Sequence, residues 1–282
     1  MKINGPEERK PMIDDKVALI TGVSSGIGRA TAELFAERGL RVFGTVRDPG
    51  RVDPIAGVEF VPVDVTSDKS VKGAVESVFE KASKIDILIN NAGYSLAGGL
   101  EETSIAEARE LFETNFFGAL RLTQAVLPLM RRDGYGRIVN ISSMAGIVPI
   151  PYRGIYAASK HALEGYTEIL DYEVRQFGIR AVLVEPTFTK SNIVANERIP
   201  EREIPAYAGQ KQRVEAVIRK EHAGADEPRA VAEVIYRAAT AERPRLHNPV
   251  GQGATLSLLR RFIPAPMFDK QFRKQFQLDQ AA

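Results

Sequence analysis

Tyr156 and Lys160 stand four residues apart in the run Tyr156-Ala157-Ala158-Ser159-Lys160, which reads as helix. On a helix that spacing puts both side chains on one face, so an ammonium lies beside a phenol. The ammonium favours the ionised phenol and draws its pKa down from about 10 toward working pH, which suits acid–base chemistry on an oxygen. Such a pair is also common on solvent-facing helices, so its meaning depends on what accompanies it. Ser143 stands 13 residues before Tyr156, and Asn115 stands 28 before Ser143. Ser142 competes with Ser143, but adjacent strand residues face opposite sides and only one of them can serve. Asn115 lies in an apolar neighbourhood, where it is either a buried, satisfied amide or the holder of a water beside the site.

These residues need a scaffold, and the chain supplies one from its first apolar run. Val17-Ala18-Leu19-Ile20 leads into Thr21-Gly22-Val23-Ser24-Ser25-Gly26-Ile27-Gly28 and then into an amphipathic segment from Arg29, the pattern strand, glycine turn, helix. Glycines in that turn allow a sharp reversal and a close approach by a pyrophosphate, which meets the free N–H groups and positive end of the helix. A second strand, Arg41 to Val46, ends at Arg47-Asp48. The residue at that point faces the adenosine ribose in a dinucleotide fold. Arg47 there would meet a 2′-phosphate, whereas a one-residue shift would present the Asp48 carboxylate. A third strand, Glu59 to Val63, runs into Asp64-Val65-Thr66, and Asp64 also fits a capping role before the helix from about Asp68. A fourth, Ile85 to Ile89, ends in Asn90-Asn91-Ala92-Gly93, small residues against which a ribose can lie. Ser104 to Met130 reads as one long helix, apolar on more than one side. Strands Arg137 to Ile141 and Arg180 to Val184 follow, the latter ending in Glu185-Pro186-Thr187-Phe188-Thr189-Lys190-Ser191. The alternation predicts a single α/β domain, a Rossmann-type doubly wound parallel sheet of about seven strands with ligands at the strands' carboxyl ends.

The turn Thr21-Gly22-x3-Gly26-x-Gly28, the Asn90-Asn91-Ala92-Gly93 run and the spacing of Asn115, Ser143, Tyr156 and Lys160 together resemble the short-chain dehydrogenase/reductase family, over roughly Lys16 to Asn192. Gly44-Thr45-Val46-Arg47-Asp48 is most similar to its hydroxysteroid and retinol dehydrogenase side. The resemblance implies a catalytic set of Asn115, Ser143, Tyr156 and Lys160. Tyr156 would give a proton to the substrate oxygen, Ser143 would orient that oxygen, Lys160 would tune Tyr156 and hold the nicotinamide ribose, and Asn115 would position a water. It implies cofactor contacts from Gly22, Ser24, Ser25, Gly26, Ile27, Gly28, Arg47, Asp64, Val65, Asn91, Ala92, Gly93, Tyr156, Lys160, Pro186, Thr189 and Ser191. Thr187 departs from the family's usual Pro-Gly at that loop. The activity implied is NADP(H)-dependent hydride transfer, with NADP(H) preferred over NAD(H), between nicotinamide and a ketone or secondary alcohol. The alternatives are a 3-oxoacyl-thioester reductase and a non-catalytic cofactor sensor. The family's habit of pairing chains through the long helix and the next implies a homodimer or homotetramer.

Composition narrows the partners. In 282 residues, 38 Lys+Arg face 36 Asp+Glu, a net charge of +2 that gives nucleic acid no purchase. With no cysteine there is no disulfide or thiolate chemistry, and His161, His222 and His247 look too scattered for a metal site. No apolar run is long enough for stable membrane insertion, and the amino terminus lacks a signal-peptide core, so a cytoplasmic protein is expected, with residues 1–14 a flexible arm before the domain at 15–282. Segments 193–218 and 243–282 are read as substrate-side elements. Apolar residues there, among them Ile193, Val194, Ile199, Ile204 and Leu256, with Ile147, Val148 and Ile150 near the serines, predict an apolar small-molecule substrate. Residues 243–274 carry seven Lys/Arg against Asp269 alone, a solvated basic face or a membrane-surface patch.

Overall fold

The computed structural model describes residues 15–190, 197–251 and 262–279. The expected arm at 1–14, with Ser191, Ile193, Val194 and Leu256, lies outside the described residues. Seven parallel strands form one sheet in the order β3-β2-β1-β4-β5-β6-β7. They are β1 Val17–Thr21, β2 Arg41–Val46, β3 Val58–Pro62, β4 Ile87–Asn90, β5 Gly136–Ile141, β6 Ile179–Glu185 and β7 His247–Pro249. The central strands are buried on both faces, which is why they read as unbroken apolar runs. Ala18 and Ile20 of β1 pack under one helical layer, built on α1 (Gly26–Glu37), while Val17 and Leu19 pack under the other, built on α2 (Asp68–Ala82). The chain reverses its order of strand addition between β1 and β4, so the crevice at their carboxyl ends is the natural ligand position.

The segment read as one long helix is three pieces. Ser104 and Glu107 form a capping box that starts α3 (Ile105–Phe112), a π-helical turn spans Glu113–Phe117, and α4 runs Gly118–Asp133. Such a turn inserts one residue into the helical ladder and re-aims what it carries, here the buried Asn115. Helix α5 (Gly154–Val174) bears Tyr156 and Lys160. Helices α6 (Pro205–Ala223), α7 (Pro228–Thr240) and α8 (Ala265–Gln275) complete the fold. Val214 and Ile218 of α6 cluster with Phe276, and Ile150, Tyr152, Phe188, Phe272 and Leu278 pack against them, so α6 and α8 form an apolar lobe beside the start of α5. Within the stretch 243–282, His247–Pro249 is a sheet strand paired with β6. Among the described residues no helix is long and apolar enough to cross a membrane.

Candidate active site

A cleft of about 860 Å³ opens at the switch point, lined by the glycine turn from Gly22 to Gly28, by Arg47, by Asp64 and Val65, and by Asn91, Ala92 and Gly93. The turn has no room for a side chain at Gly28. A Cβ at Gly28 would lie 2.2 Å from the Gly22 carbonyl oxygen and 2.4 Å from Asn91 Nδ2, and Gly22 and Gly26 adopt φ of 72° and 58°. Ser25, at the start of α1, makes no side-chain cap, so the first N–H groups of the helix are left to an anion. A dinucleotide phosphate fits an uncapped, positively polarised helix start of this kind. Asn91 donates to the carbonyls of Thr21 (2.9 Å) and Gly22 (3.2 Å), tying β4 to the turn.

At the adenosine end the two candidate readers separate. Arg47 lines the cleft near Asp64, whose carboxyl is held below its usual range chiefly by hydrogen bonds from Thr66, with smaller help from Arg47. The Asp48 side chain turns back to accept from Gly50 N at 3.0 Å and to pair with Arg51. The capping role allowed for Asp64 falls instead to Ser67, which caps α2, while Asp64 closes a local turn onto Thr66.

The residues set out for catalysis converge beyond the Tyr94 end of the cleft. Ser143 leaves β5 as the cap of a short turn, its Oγ accepting from Ala145 N at 3.1 Å, and its hydroxyl favours the ionised form of the nearby Tyr156 phenol. Ser142 points the other way, toward Glu164. Lys160 Nζ lies 5.7 Å from the Tyr156 ring centroid and donates to the Ile141 carbonyl at 2.8 Å.

Two expectations change. The Tyr156 pKa goes up, to about 12, because burial of the phenol outweighs the Ser143 hydrogen bond, while burial brings Lys160 down to about 8. The phenol therefore holds its proton at neutral pH. Asn115 is not free to hold a water through its side chain. Its Oδ1 accepts from Tyr94 N at 3.0 Å and its Nδ2 donates to Tyr94 O at 2.9 Å and to Ser159 Oγ at 3.4 Å. The amide clamps the loop after β4 to the catalytic helix.

Pro186 and Thr189 lie in the loop that follows β6. The Pro186 carbonyl accepts from Met144 N, and Thr189 is buried with its backbone bridged to Asp226. Thr187 takes no positive φ, so the loop accommodates it without strain.

Three carboxylates and a histidine were hidden by distance in the sequence. His247 Nδ1 lies 2.8 Å from Glu185 and 3.6 Å from Glu164, and Nε2 lies 3.4 Å from Glu168. His247 is thus part of a cluster of ligand-type groups, contrary to the view of scattered histidines, and its imidazolium is favoured chiefly by the Glu185 hydrogen bond. Glu164 follows Lys160 by four residues on the same helix face, a relation readable in the sequence. Burial pushes its carboxyl up to about 8. The neutral form is the one the fold prefers, so its stabilising effect is complete below about pH 4.5 and is lost as pH rises through about 8. Glu164→Gln is expected to match the unmodified protein in stability at pH 5 and to exceed it by about 1–3 kcal/mol at pH 9. Urea unfolding at the two pH values checks this, and an equal difference at both would exclude the titration.

The profile of the family described as short chain dehydrogenase matches residues 16–202. The chain belongs to the short-chain dehydrogenase/reductase family, and it is an NAD(P)-dependent dehydrogenase/reductase. The 3-ketodihydrosphingosine reductase of Bacteroides thetaiotaomicron is 39% identical over 238 residues, covering 84% of this chain and 88% of that protein. The crystal structure of a short-chain dehydrogenase from Streptomyces avermitilis superposes with a TM-score of 0.79 at 33% identity, covering 94% of this chain and 98% of the other. A short-chain dehydrogenase/reductase from Burkholderia phymatum in complex with NAD gives 0.77 at 28% identity, covering 91% and 95%.

Proposed function

We propose that this enzyme transfers hydride between NADP(H) and a ketone or secondary alcohol on an apolar molecule. The observation that carries the reading is the grouping of Ser143, Tyr156 and Lys160 around a helix that Asn115 ties to Tyr94, a residue of the cleft that fits a dinucleotide. Gly22 to Gly28, Asp64, Val65 and Asn91 to Gly93 would hold the dinucleotide, which would supply or accept the hydride. Ser143 hydrogen-bonds the substrate oxygen and fixes its direction. Tyr156, still protonated at neutral pH, hands its proton to that oxygen as charge grows there. Lys160, charged below about pH 8, stabilises the phenolate left behind. Asn115 keeps the loop after β4 in register with these groups. Leu96, Leu111 and Ala145, with Ile150 packed against them, give the surroundings of Tyr156 their apolar character. The name of the Bacteroides relative, a reductase of a 3-keto group, agrees with this direction of chemistry.

Turnover of bulky apolar ketones against a small sugar ketone and a 3-oxoacyl thioester, with each cofactor, tests the reading. Bulky apolar ketones should lead in kcat/KM, preference for the sugar ketone would remove the apolar substrate, and preference for the thioester would move the function to that class.

The choice of NADP(H) rests on Arg47 facing the cleft while Asp48 is engaged elsewhere. Arg47→Ala is expected to weaken NADPH binding by about 1–3 kcal/mol, the scale of a charge-assisted hydrogen bond, and to leave NADH nearly unchanged. Calorimetric titration with both nucleotides checks this, and equal weakening would assign Arg47 to packing. The pairing of two chains is supported by Phe117, Ile169 and Tyr172, large side chains on the π turn and α5 that stay 39%, 59% and 68% exposed.

A further inference from the structure

Strand β7 joins the edge of the sheet beside β6 and brings His247 against α5. Glu164 and Glu168 stand one turn apart on that helix, beyond Lys160, and both reach the imidazole. One nitrogen of His247 and one carboxylate oxygen from each glutamate lie within 4.8 Å of one another, and among the described residues no other three ligand-type side chains gather so closely.

The ring is held in the orientation that a ligand needs. Glu185, fully buried at the end of β6, accepts from Asn248 N at 2.8 Å through one oxygen and from His247 Nδ1 at 2.8 Å through the other. A carboxylate on one ring nitrogen fixes the tautomer and leaves a lone pair on the other, the relation that supports metal-bound imidazoles. That other nitrogen, Nε2, lies 3.4 Å from Glu168. Bonds of about 2.0–2.2 Å to nitrogen and carboxylate oxygen set ligand atoms roughly 3.3–3.5 Å apart around a tetrahedral ion. The half-exposed Glu168 has the freedom to close the wider separations.

Glu164 supplies a separate sign. It is 7% exposed, its Oε1 has no hydrogen-bond partner, and its Oε2 lies 3.6 Å from His247, beyond hydrogen-bond length. Among the described residues the ion pairs of Glu164, Glu168 and Glu185 run to His247 and to no lysine or arginine. Three carboxylates around one imidazole leave a negative surplus in a poorly hydrated place, which a small divalent cation offsets better than a single proton on the ring.

The geometry points to a divalent metal site of the zinc type, in which His247 Nε2, Glu164 and Glu168 hold the ion, water completes its coordination and Glu185 orients the imidazole. Imidazole combined with carboxylates suits Zn²⁺, whereas Mg²⁺ and Ca²⁺ take sets of oxygens. None of these residues lines the dinucleotide cleft, so the ion is structural. It fastens α5, one turn beyond Lys160, to the last strand of the sheet, and the inference stands independently of the oxidoreductase reading.

The test uses the full chain, stripped with a chelator and titrated at pH 7.5 with ZnCl₂ by calorimetry and with Co²⁺ by visible absorption. The unmodified protein, Glu168→Gln and His247→Gln are compared, and the absence of cysteine removes thiolates as competing ligands. The unmodified chain should take up one Zn²⁺ and show the intense visible bands of four-coordinate Co²⁺. Each substitution should weaken Zn²⁺ binding by about tenfold or more and remove the bands. Saturating Zn²⁺ should raise the urea midpoint of the unmodified chain and leave that of Glu168→Gln in place. Equal binding by all three proteins would overturn the site by placing the ion elsewhere. Absence of saturable binding by the unmodified chain would overturn it too, leaving His247 as an imidazolium bridging the carboxylates. Mg²⁺ bound as tightly as Zn²⁺ would overturn the role of the ring as a ligand. Should His247→Gln fail to fold, the half-exposed position makes Glu168→Gln decisive alone.

Discussion

Tyr156→Phe is expected to lower kcat for ketone reduction by about 10²–10⁴-fold, the range for a positioned general acid, while NADPH affinity stays within about twofold. The ring is 8% exposed and packs in the cluster of Leu96 and Ala157, and a phenylalanine keeps those contacts. Ser143 keeps its bond from Ala145 N, so the serine is not released by the change. What disappears is a proton held on a phenol whose pKa burial has pushed up to about 12. The pH profile separates this from a general loss of structure. Lys160 titrates near 8, so the rate of reduction in the unmodified enzyme should decline as pH rises past that value, and the residual rate of Tyr156→Phe should lack the decline. Steady-state kinetics from pH 6 to pH 10 would show both. Retention of more than about a tenth of kcat would remove Tyr156 from the donor role, and a cofactor sensor would show no turnover to lose.

What could be read from the residues alone was whatever is local. The glycine turn is defined by eight consecutive residues and its neighbours, and Tyr156 and Lys160 by one helical turn, so both stand where expected. Strand ends slipped by one or two residues, β3 to Val58–Pro62 and β4 to Ile87–Asn90, because apolar runs continue past the ladder's last hydrogen bond. The π turn at Glu113–Phe117 has no signature in composition, since one inserted residue leaves the apolar pattern intact on both sides. The direction of the Tyr156 pKa was misread for a related reason. Spacing shows the ammonium, but the burial that sets the direction involves Leu96, Leu111 and Ala145, brought in from three other places along the chain. Arg153 meets Glu197 across 44 residues and His247 meets Glu185 across 62, distances at which a sequence offers charge types and no geometry.

The second large effect concerns the turn that receives the phosphates. Gly28→Ala is expected to weaken NADPH binding by about 2–4 kcal/mol, roughly 30- to 1,000-fold, and to lower unfolding stability by about 1–3 kcal/mol. The added methyl would come 2.2 Å from the Gly22 carbonyl oxygen and 2.4 Å from Asn91 Nδ2, distances that require one side to move. The helix side cannot readily do so. Leu34 and Phe35 of α1 are fully buried against the sheet and α7, and Phe35 stacks edge-on to Tyr236 with centroids 5.3 Å apart. The turn must therefore give, and with it the Asn91 bonds to the Thr21 and Gly22 carbonyls that shape the phosphate seat. Gly73→Ala provides the contrast, because Gly73 lies within α2 and a Cβ there meets nothing within 4 Å. That change should leave NADPH affinity alone and add about 0.5–1 kcal/mol of stability from helix propensity. Calorimetric titration and urea unfolding of the two variants give the comparison. If Gly28→Ala kept full NADPH affinity, the dinucleotide phosphates would have to sit elsewhere in the cleft, and the assignment of the turn from Gly22 to Gly28 would fall with it.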